Sequence, residues 1–396
     1  MTPHLAPPPA RPPRGTRPRN RRGLIIAAAG ELFHRRGYGQ LTMGDLAEAV
    51  GVGPSALYRH FSGKQHLLRE VLTAGLAPVR ELLTGLDLTD RPTALRRLGA
   101  LALDHRQLGL LWQREARHLT PEDRAAFRPE LHGIGGLFTR QVRAARPDLD
   151  PAAAELLAWA MISVLTSVSF HRLDLPRPAY DELIAELCGA VLDAPLPDPG
   201  APPPRPEPAG LVPASRREAL LFQAVRMFAT HGYTEVGIED IAAAVGIAGP
   251  SVYHHFPSKL DLLVTALRRG AAVLLTDVAT AYRTATDPAD GLRTLVRGYV
   301  GFTQAHHDLV GLLITEVDHL PEDERRSSRQ TQYDYISEWV HLLGAGRPGL
   351  DPIAARVRVQ AVLTVANDAA RTPRVRAYPA LPAALEVIAA HLLRLP

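Results

Sequence analysis

At roughly 100–200 residues per domain, the 396 residues of the chain predict two to four domains. Its 45 lysines and arginines against 41 aspartates and glutamates leave a formal charge of only +4, which alone predicts no polyanionic partner. The one cysteine, Cys188, excludes an internal disulfide and has no neighbouring thiols for a metal site, so we expect a buried thiol and a reducing cytoplasm. No stretch is expected to reach the roughly 18 apolar residues that a membrane span needs.

The chain begins with a basic segment. Six arginines lie among prolines and a glycine in residues 11–22: Arg11, Arg14, Arg17, Arg19, Arg21 and Arg22. This composition predicts a disordered arm over residues 1–20 that can lie along DNA phosphates or in a narrow minor groove. A solvated tail without DNA contacts is the alternative.

Residues 21–68 are predicted to form three helices. The first carries an apolar stripe and is expected to end at Gly37 with a left-handed glycine cap. Thr42 is expected to cap the second helix, with Asp45 three residues on completing a capping box.

The second and third helices are separated by a tight turn. Gly51 ends the second helix, and a short third helix from about Pro54 to His60 follows almost at once. Two short helices joined this way after a supporting helix predict a helix-turn-helix, whose second helix enters the major groove of DNA. A generic helical hairpin has similar spacing, so the identity of the residues, and not their spacing, must distinguish it from a helix-turn-helix.

Residues 69–193 are predicted to form a larger helical domain. Residues 156–162 are apolar almost all round, as a helix buried in a bundle should be.

A proline-rich linker follows at residues 194–213. Nine prolines exclude a helix there and favour extended polyproline II. At about 3.1 Å per residue, the linker could span up to ~60 Å.

The remainder of the chain repeats the first part. An offset of 195 aligns residues 33–68 with 228–263 without a gap, and 14 of the 36 positions are identical, far above chance. At an offset of 201, Glu115, His118 and Pro151 align with Glu316, His319 and Pro352. The second copy is therefore predicted to contain a helix-turn-helix domain at 214–263 and a second larger helical domain at 264–396.

The motifs of both copies resemble the helix-turn-helix signature of the TetR family. In the first copy they are Gly37-Tyr38, Thr42, Asp45-Leu46-Ala47, Val50-Gly51-Val52, Leu57-Tyr58-Arg59-His60-Phe61, Lys64 and Leu67-Leu68. In the second they are Gly232-Tyr233, Asp240-Ile241-Ala242, Val245-Gly246-Ile247, Ser251-Val252-Tyr253-His254-His255-Phe256 and Lys259. Ala56 departs from the pattern, since the family usually has a hydroxyl or amide side chain there, whereas Ser251 keeps one.

Alternating β-branched runs are absent and segments with helical spacing dominate, which predicts an all-α fold. The resemblance implies two tandem TetR-like units, each with a ligand-binding and dimerisation domain, at 69–193 and 264–396. It further implies that the last two helices of each domain, at about 152–171 and 178–193 and at about 352–370 and 380–394, pair as an intramolecular pseudo-dimer. It also implies double-stranded operator DNA and a small, largely apolar effector as partners, with no cofactor, metal or membrane. With both halves on one chain, their effective concentration is in the millimolar range. We therefore expect a cytoplasmic repressor that its effector releases from DNA. A further homodimer of chains remains open.

The predicted DNA contacts come from both copies. They are Arg21, Arg22, Thr42, Ser55, Tyr58, Arg59, His60 and Lys64 in the first copy, and Arg216, Arg217, Ser251, Tyr253, His254, His255 and Lys259 in the second. Only two lysines stand among 43 arginines, and they are Lys64 and Lys259, at matching positions. A lysine near a helix N-terminus suits a phosphate as a point charge. Retention of two ancestral lysines without a function is the alternative.

The predicted ligand contacts are mainly aromatic. They are Trp112, Glu115, Phe138 and Phe170 in the first copy, and Phe302, Glu316, Tyr335 and Trp339 in the second, with Phe127 and Tyr333 as further candidates. Aromatic side chains at helical spacing are more often core residues than ligand contacts. The pairs Glu115 with His118 and Glu316 with His319 are equally explained as structural hydrogen bonds.

Three other functions are compared with the same sequence features. An enzyme is disfavoured because the sequence has no phosphate-binding glycine loop, nucleophile elbow or metal-ligand cluster. A transcriptional activator or a constitutive DNA-binding protein remains an alternative. So does a protein in which one sensing half is degenerate, since the stretch from Glu322 to Gln332 is unusually polar for a pocket.

Overall fold

The structure is a computed structural model that describes residues 21–198 and 211–396. The predicted basic arm (residues 1–20) and linker residues 199–210 lie outside the described residues. The described part of the chain forms helices and no strand, which confirms the all-α prediction.

The helices of the first copy follow the predicted order. Their bounds are α1 Arg21–Arg36, α2 Met43–Ala49, α3 Pro54–Tyr58, α4 Lys64–Thr84, α5 Arg91–Asp104, α6 Gln107–Arg114, α7 Pro121–Ala145, α8 Pro151–Ser167 and α9 Ala179–Leu192.

The second copy repeats this order and adds one short helix before the last. Its helices are α10 Arg216–His231, α11 Ile238–Val245, α12 Gly249–Val252, α13 Lys259–Thr284, α14 Pro288–Ala305, α15 His307–Thr315, α16 Glu322–Gly346, α17 Pro352–Arg371, α18 Pro373–Arg376 and α19 Leu381–Leu392.

The chain divides into two compact units that do not coincide with the two copies. The first unit comprises the described part of Met1–Gly85 together with Asp104–Leu137. The second comprises Leu86–Leu103 and the described part of Phe138–Pro396. The second unit therefore contains all of the second copy and the last two helices of the first.

A capping box starts α2, as predicted. The Thr42 hydroxyl accepts a hydrogen bond from the Asp45 N–H at 3.1 Å, and the Asp45 carboxylate accepts one from the Thr42 N–H at 2.7 Å. In the second copy Gly237 takes the place of the threonine. The Asp240 carboxylate still accepts from its N–H at 2.8 Å, but glycine has no side chain to complete the box.

Positive-φ glycines separate the helices of each helix-turn-helix. Gly51 has φ of 65°, and Gly246 has φ of 72° and ψ of 36°, which is the left-handed helical conformation. Gly37 has the expected positive φ, 78°, but its ψ is 149°. The left-handed helical cap predicted for the end of α1 is therefore wrong. Only glycine readily adopts the conformation of Gly37, and the chain therefore turns there.

Helices α8, α9, α17 and α19 pack together in the second unit, with α8 against α17 and α9 against α19. The expectation that no apolar stretch reaches membrane-spanning length was wrong, because Pro151–Phe170 is long and apolar enough. Most of the residues of α8 are buried inside this bundle, which explains the composition without a membrane. Cys188 is buried in α9, as predicted, and burial raises the pKa of its thiol.

Candidate DNA-binding and effector sites

Helix α3 and the residues that directly follow it have one exposed polar face and one buried apolar face. Leu57 and Phe61 are fully buried and anchor the helix against the domain core. Tyr58 is 53% exposed, and its neighbours Arg59 and His60 are also exposed. An exposed tyrosine beside a cationic group is available to phosphate oxygens of DNA.

Helix α12 presents the equivalent surface in the second copy. Val252 and Phe256 are buried, whereas Tyr253 is 54% exposed and His254 is exposed. The exposures of Tyr253 and of its counterpart in α3 agree closely, so core packing does not explain the tyrosine in either copy. His255 is partly buried.

The arginines at the start of α1 lie beside the recognition helix. Arg22 forms an ion pair with Glu70, and its guanidinium lies 5.2 Å from the centre of the Phe61 ring. Arg21 begins α1.

The second copy places its two arginines similarly. Arg216 donates a hydrogen bond to the Val245 carbonyl at 3.0 Å. Arg217 donates to the His255 carbonyl, and its guanidinium lies 4.0 Å from the centre of the Phe256 ring. These arginines therefore have contacts within the domain besides any contact with DNA.

Lys64 points into the first unit. Its ammonium donates hydrogen bonds to the carbonyls of Tyr38, at 2.8 Å, and Leu41, at 2.6 Å, and lies 4.0 Å from the Tyr38 ring centre. The other side of that ring stacks with His118, whose imidazole lies 3.9 Å from the buried Glu115 carboxylate. Burial lowers the pKa of Lys64, and the charge of Glu115 opposes that shift.

The second copy repeats this arrangement. The Lys259 ammonium donates to the carbonyls of Tyr233, at 2.9 Å, and Val236, at 3.0 Å, and lies 4.4 Å from the Tyr233 ring centre. That ring also contacts His319, at 5.1 Å between ring centres, and the His319 imidazole lies 3.3 Å from the buried Glu316 carboxylate.

These two clusters of five residues connect the helix-turn-helix to the turn that follows α6 or α15. The presence of lysine at both positions therefore has a structural explanation. Its flexible stem brings three ammonium N–H groups to backbone carbonyls, whereas the planar guanidinium of arginine would present its N–H groups in a different geometry. The predicted phosphate contact of these lysines remains a prediction. The Glu–His pairs lie in these clusters, consistent with their structural interpretation.

The second copy encloses a cavity of about 300 Å³ among α13, α14, α15, α16 and α17. This volume lies at the lower end of the range of ligand pockets. Its wall includes six aliphatic side chains: Leu267, Leu274, Leu313, Ile314, Ile336 and Leu363. The polar stretch from Glu322 to Gln332 lines part of this cavity, so the second copy has a cavity despite the polarity of that stretch. Its lining residues are Glu324, Ser327, Ser328, Arg329, Thr331 and Gln332.

Of the eight residues predicted to contact a ligand, Tyr335 alone lines this cavity. Trp339 and Phe302 are buried in the surrounding core, and Glu316 belongs to the cluster with His319. Tyr333 is 56% exposed on α16.

The first-copy candidates lie elsewhere. Phe138 and Phe127 are buried, Trp112 and Phe170 are partly buried, and Glu115 contacts Tyr38.

A hydrogen-bonded pair of cavity residues was not predicted from the sequence. The Tyr299 hydroxyl donates a hydrogen bond to the Asn367 side-chain carbonyl at 2.8 Å, and both residues line the cavity. The one signal was Asn367 itself, an amide that directly follows the largely apolar stretch from Val362 to Ala366.

An ion pair between a buried arginine and a partly buried glutamate joins the two copies within the second unit. Arg358 of α17 is 3% exposed and donates to both carboxylate oxygens of Glu186 in α9, at 2.7 and 2.6 Å. The repeat offset of 201 places Leu157 and Val387 at the corresponding positions. The bundle is therefore not symmetric: one side has an ion pair where the other has aliphatic side chains.

Two helix-turn-helix domains, each followed by a larger helical region, define the chain as a DNA-binding regulator. The profile of "Bacterial regulatory proteins, tetR family" matches residues 25–71 and again 220–266. The chain belongs to the TetR family, whose members are transcription regulators and not enzymes.

Two transcription regulators that are more than 30% identical to the chain agree with this assignment. The transcriptional activator FasR of Mycolicibacterium smegmatis is 32% identical over 157 residues, covering 39% of this chain and 71% of FasR. The transcriptional repressor KstR2 of Rhodococcus jostii is 33% identical over 157 residues, covering 37% of this chain and 71% of KstR2. The solved structure of KstR2 from Mycobacterium tuberculosis is 26% identical and covers 46% of this chain and 95% of its own, with a TM-score of 0.38.

Proposed function

We propose that one chain binds both half-sites of a single operator as an intramolecular pseudo-dimer and represses transcription until a small, largely apolar effector releases it. In this proposal the protein acts in the cytoplasm. The DNA contacts are the residues predicted from the sequence, with the tyrosines and their neighbours on α3 and α12 at the centre.

The duplicated recognition surface carries the proposal. A chain with only one DNA-reading copy would have no reason to keep Tyr253 exposed to the same extent as Tyr58. Operators of helix-turn-helix dimers contain two half-sites about one helical turn, ~34 Å, apart. Two recognition helices on one chain supply both readers without a second chain.

The packing of the last helices supports the pairing of the two copies. Helices α8 and α9 pack with α17 and α19, and the ion pair between Arg358 and Glu186 crosses between the copies. A homodimer that paired two second copies would place Arg358 opposite Val387, without a carboxylate. Burial of an unpaired charge is costly, so this asymmetry favours pairing of unlike copies.

The cavity is placed to act on the helix-turn-helix of the second copy. Its wall includes Leu267 of α13, the helix that begins at Lys259, and Val317, which directly follows Glu316. A ligand that moved either element would disturb the cluster that holds Tyr233. An effector that binds one conformation better shifts the population toward it and so changes DNA affinity.

An operator scan tests the proposal and predicts unequal half-sites. Arg59 can form a bidentate pair with guanine, whereas His254 at the equivalent position cannot match that geometry. Nuclease footprinting on DNA upstream of the protein's own gene should show two protected half-sites one turn apart. Single-base substitutions should then reveal a guanine that matters in one half-site only. A single isolated half-site, or no protection at all, would refute the proposal.

An activator is the second candidate, because the FasR relative is described as a transcriptional activator. A reporter gene placed behind the footprinted site distinguishes the two. Deletion of the regulator raises expression if it represses and lowers expression if it activates.

A further inference from the structure

Besides its aliphatic wall and the polar stretch from Glu324 to Gln332, the cavity of the second copy has a corner formed by three uncharged polar side chains. Tyr299, Tyr335 and Asn367 meet at its wall, contributed by α14, α16 and α17. Tyr299 is 8% exposed and Tyr335 is 5% exposed. Two phenols and an amide thus lie among aliphatic side chains, where a polar group without a partner is costly.

The three polar groups differ in how they are satisfied. The Tyr299 hydroxyl is bonded to Asn367, as described above. The Tyr335 hydroxyl is enclosed and makes no aligned hydrogen bond with any described residue. The Trp339 indole, which can only donate, acts on the phenol oxygen as a side-chain hydrogen-bond partner, so the hydroxyl lacks an acceptor for its own proton. Buried hydroxyl groups usually have a partner, so an enclosed phenol beside an open cavity indicates that the partner comes from the ligand.

The charges around the cavity disfavour an anionic group at this corner. Of the arginines on the wall, Arg268 is bonded to Glu324 at 2.5 Å and Arg329 is exposed. Asp277 acts electrostatically on Tyr335, and burial raises the pKa of that phenol well above its ordinary value. A carboxylate placed here would lose its hydration without gaining a cation.

We infer that the cavity takes a largely apolar molecule whose inner end carries a neutral oxygen, a ketone or a hydroxyl, hydrogen-bonded by Tyr335. This inference rests on the proposed function only in taking the cavity as the effector site. The aliphatic wall binds the body of the ligand, and the polar corner sets which end enters first.

Equilibrium dialysis of the full chain without DNA tests the ligand class. The probes are octan-2-one, octan-1-ol, octane and octanoate, which share a chain length and differ in the end group. The ketone and the alcohol should bind at least about tenfold more tightly than octane and octanoate, the effect of one net hydrogen bond. Equal binding of octane, tighter binding of octanoate, or no binding of the oxygenated probes would overturn the inference.

Tyr335→Phe should bring the ketone and the alcohol to within about threefold of octane, while octane binding stays unchanged. Tyr378→Phe is the matched control, because Tyr378 is also a buried tyrosine but lies outside the cavity, and it should change nothing. If Tyr335→Phe does not fold, Tyr335→Met removes the same hydroxyl and should lose the same preference. A preference retained in the folded variant would overturn the inference.

The dialysis result is independent of DNA binding. If the oxygenated probes bind preferentially but never weaken the operator complex, the ligand class stands and the effector role in the proposed function fails.

Discussion

Replacement of Glu186 by valine is expected to lower the free energy of unfolding of the second unit by about 3–5 kcal/mol. The substitution leaves the Arg358 guanidinium, 3% exposed, with the Leu392 carbonyl as its remaining acceptor at 3.0 Å. A buried charge that loses its counterion is one of the few mechanisms that cost this much. Arg394, the other partner of Glu186, is half exposed and can turn to water.

Glu155→Val is the matched control. Glu155 lies 3.7 Å from Arg374, also between the copies, but that arginine is 71% exposed. An exposed pair contributes at most about 1 kcal/mol, so this variant should remain close to wild type. Denaturant unfolding measures both variants, and an equal cost for the two would contradict the burial argument.

The double variant Glu186→Val with Arg358→Leu copies the residues at the corresponding positions, Val387 and Leu157. Replacement of a buried ion pair by aliphatic side chains is often neutral or stabilising, so most of the lost stability should return. The asymmetry that disfavours pairing of like copies is then removed. Pairing within one chain should nevertheless persist, because the tether keeps the two copies at millimolar effective concentration, and sedimentation should show no more association between chains than for the wild type.

Tyr58→Ala and Tyr253→Ala should each weaken operator binding by about 10–100-fold. Each substitution removes a hydrogen bond to a charged phosphate, which contributes about 1.5–3 kcal/mol. Because one chain holds both half-sites, loss of contact at either half reduces the affinity of the whole complex. Gel shift at fixed salt measures both effects.

Tyr333→Ala controls for the loss of an exposed tyrosine as such. Tyr333 is exposed to the same degree as the two recognition tyrosines but lies on α16. Its removal should leave operator affinity unchanged. If Tyr253→Ala were as silent as this control while Tyr58→Ala abolished binding, the second copy would not read DNA.

Local signals in the sequence were sufficient for the helix-turn-helix. The capping box of Thr42 and Asp45 and the turn at Gly51 depend on residues only a few positions apart, and the repeat showed that the turn recurs, at Gly246, in a second domain. The exposed tyrosines could be predicted because a recognition helix must present its polar face to DNA.

The features that the sequence did not predict depend on distant contacts. Tyr299 and Asn367 are 68 residues apart, and Glu186 and Arg358 are 172 residues apart, so no periodicity relates them. Lys64 was predicted as a phosphate contact from its position near a helix N-terminus. Its hydrogen bonds to carbonyls more than twenty residues away are visible only in the fold.

The number of chains on one operator tests the central claim most directly. Native mass spectrometry of the full chain with a duplex that contains both footprinted half-sites gives this number without a model of binding. The intramolecular pseudo-dimer predicts one chain per duplex, with no second chain bound when protein is in excess. Two chains on each duplex, with no complex of one chain at any ratio, would contradict it.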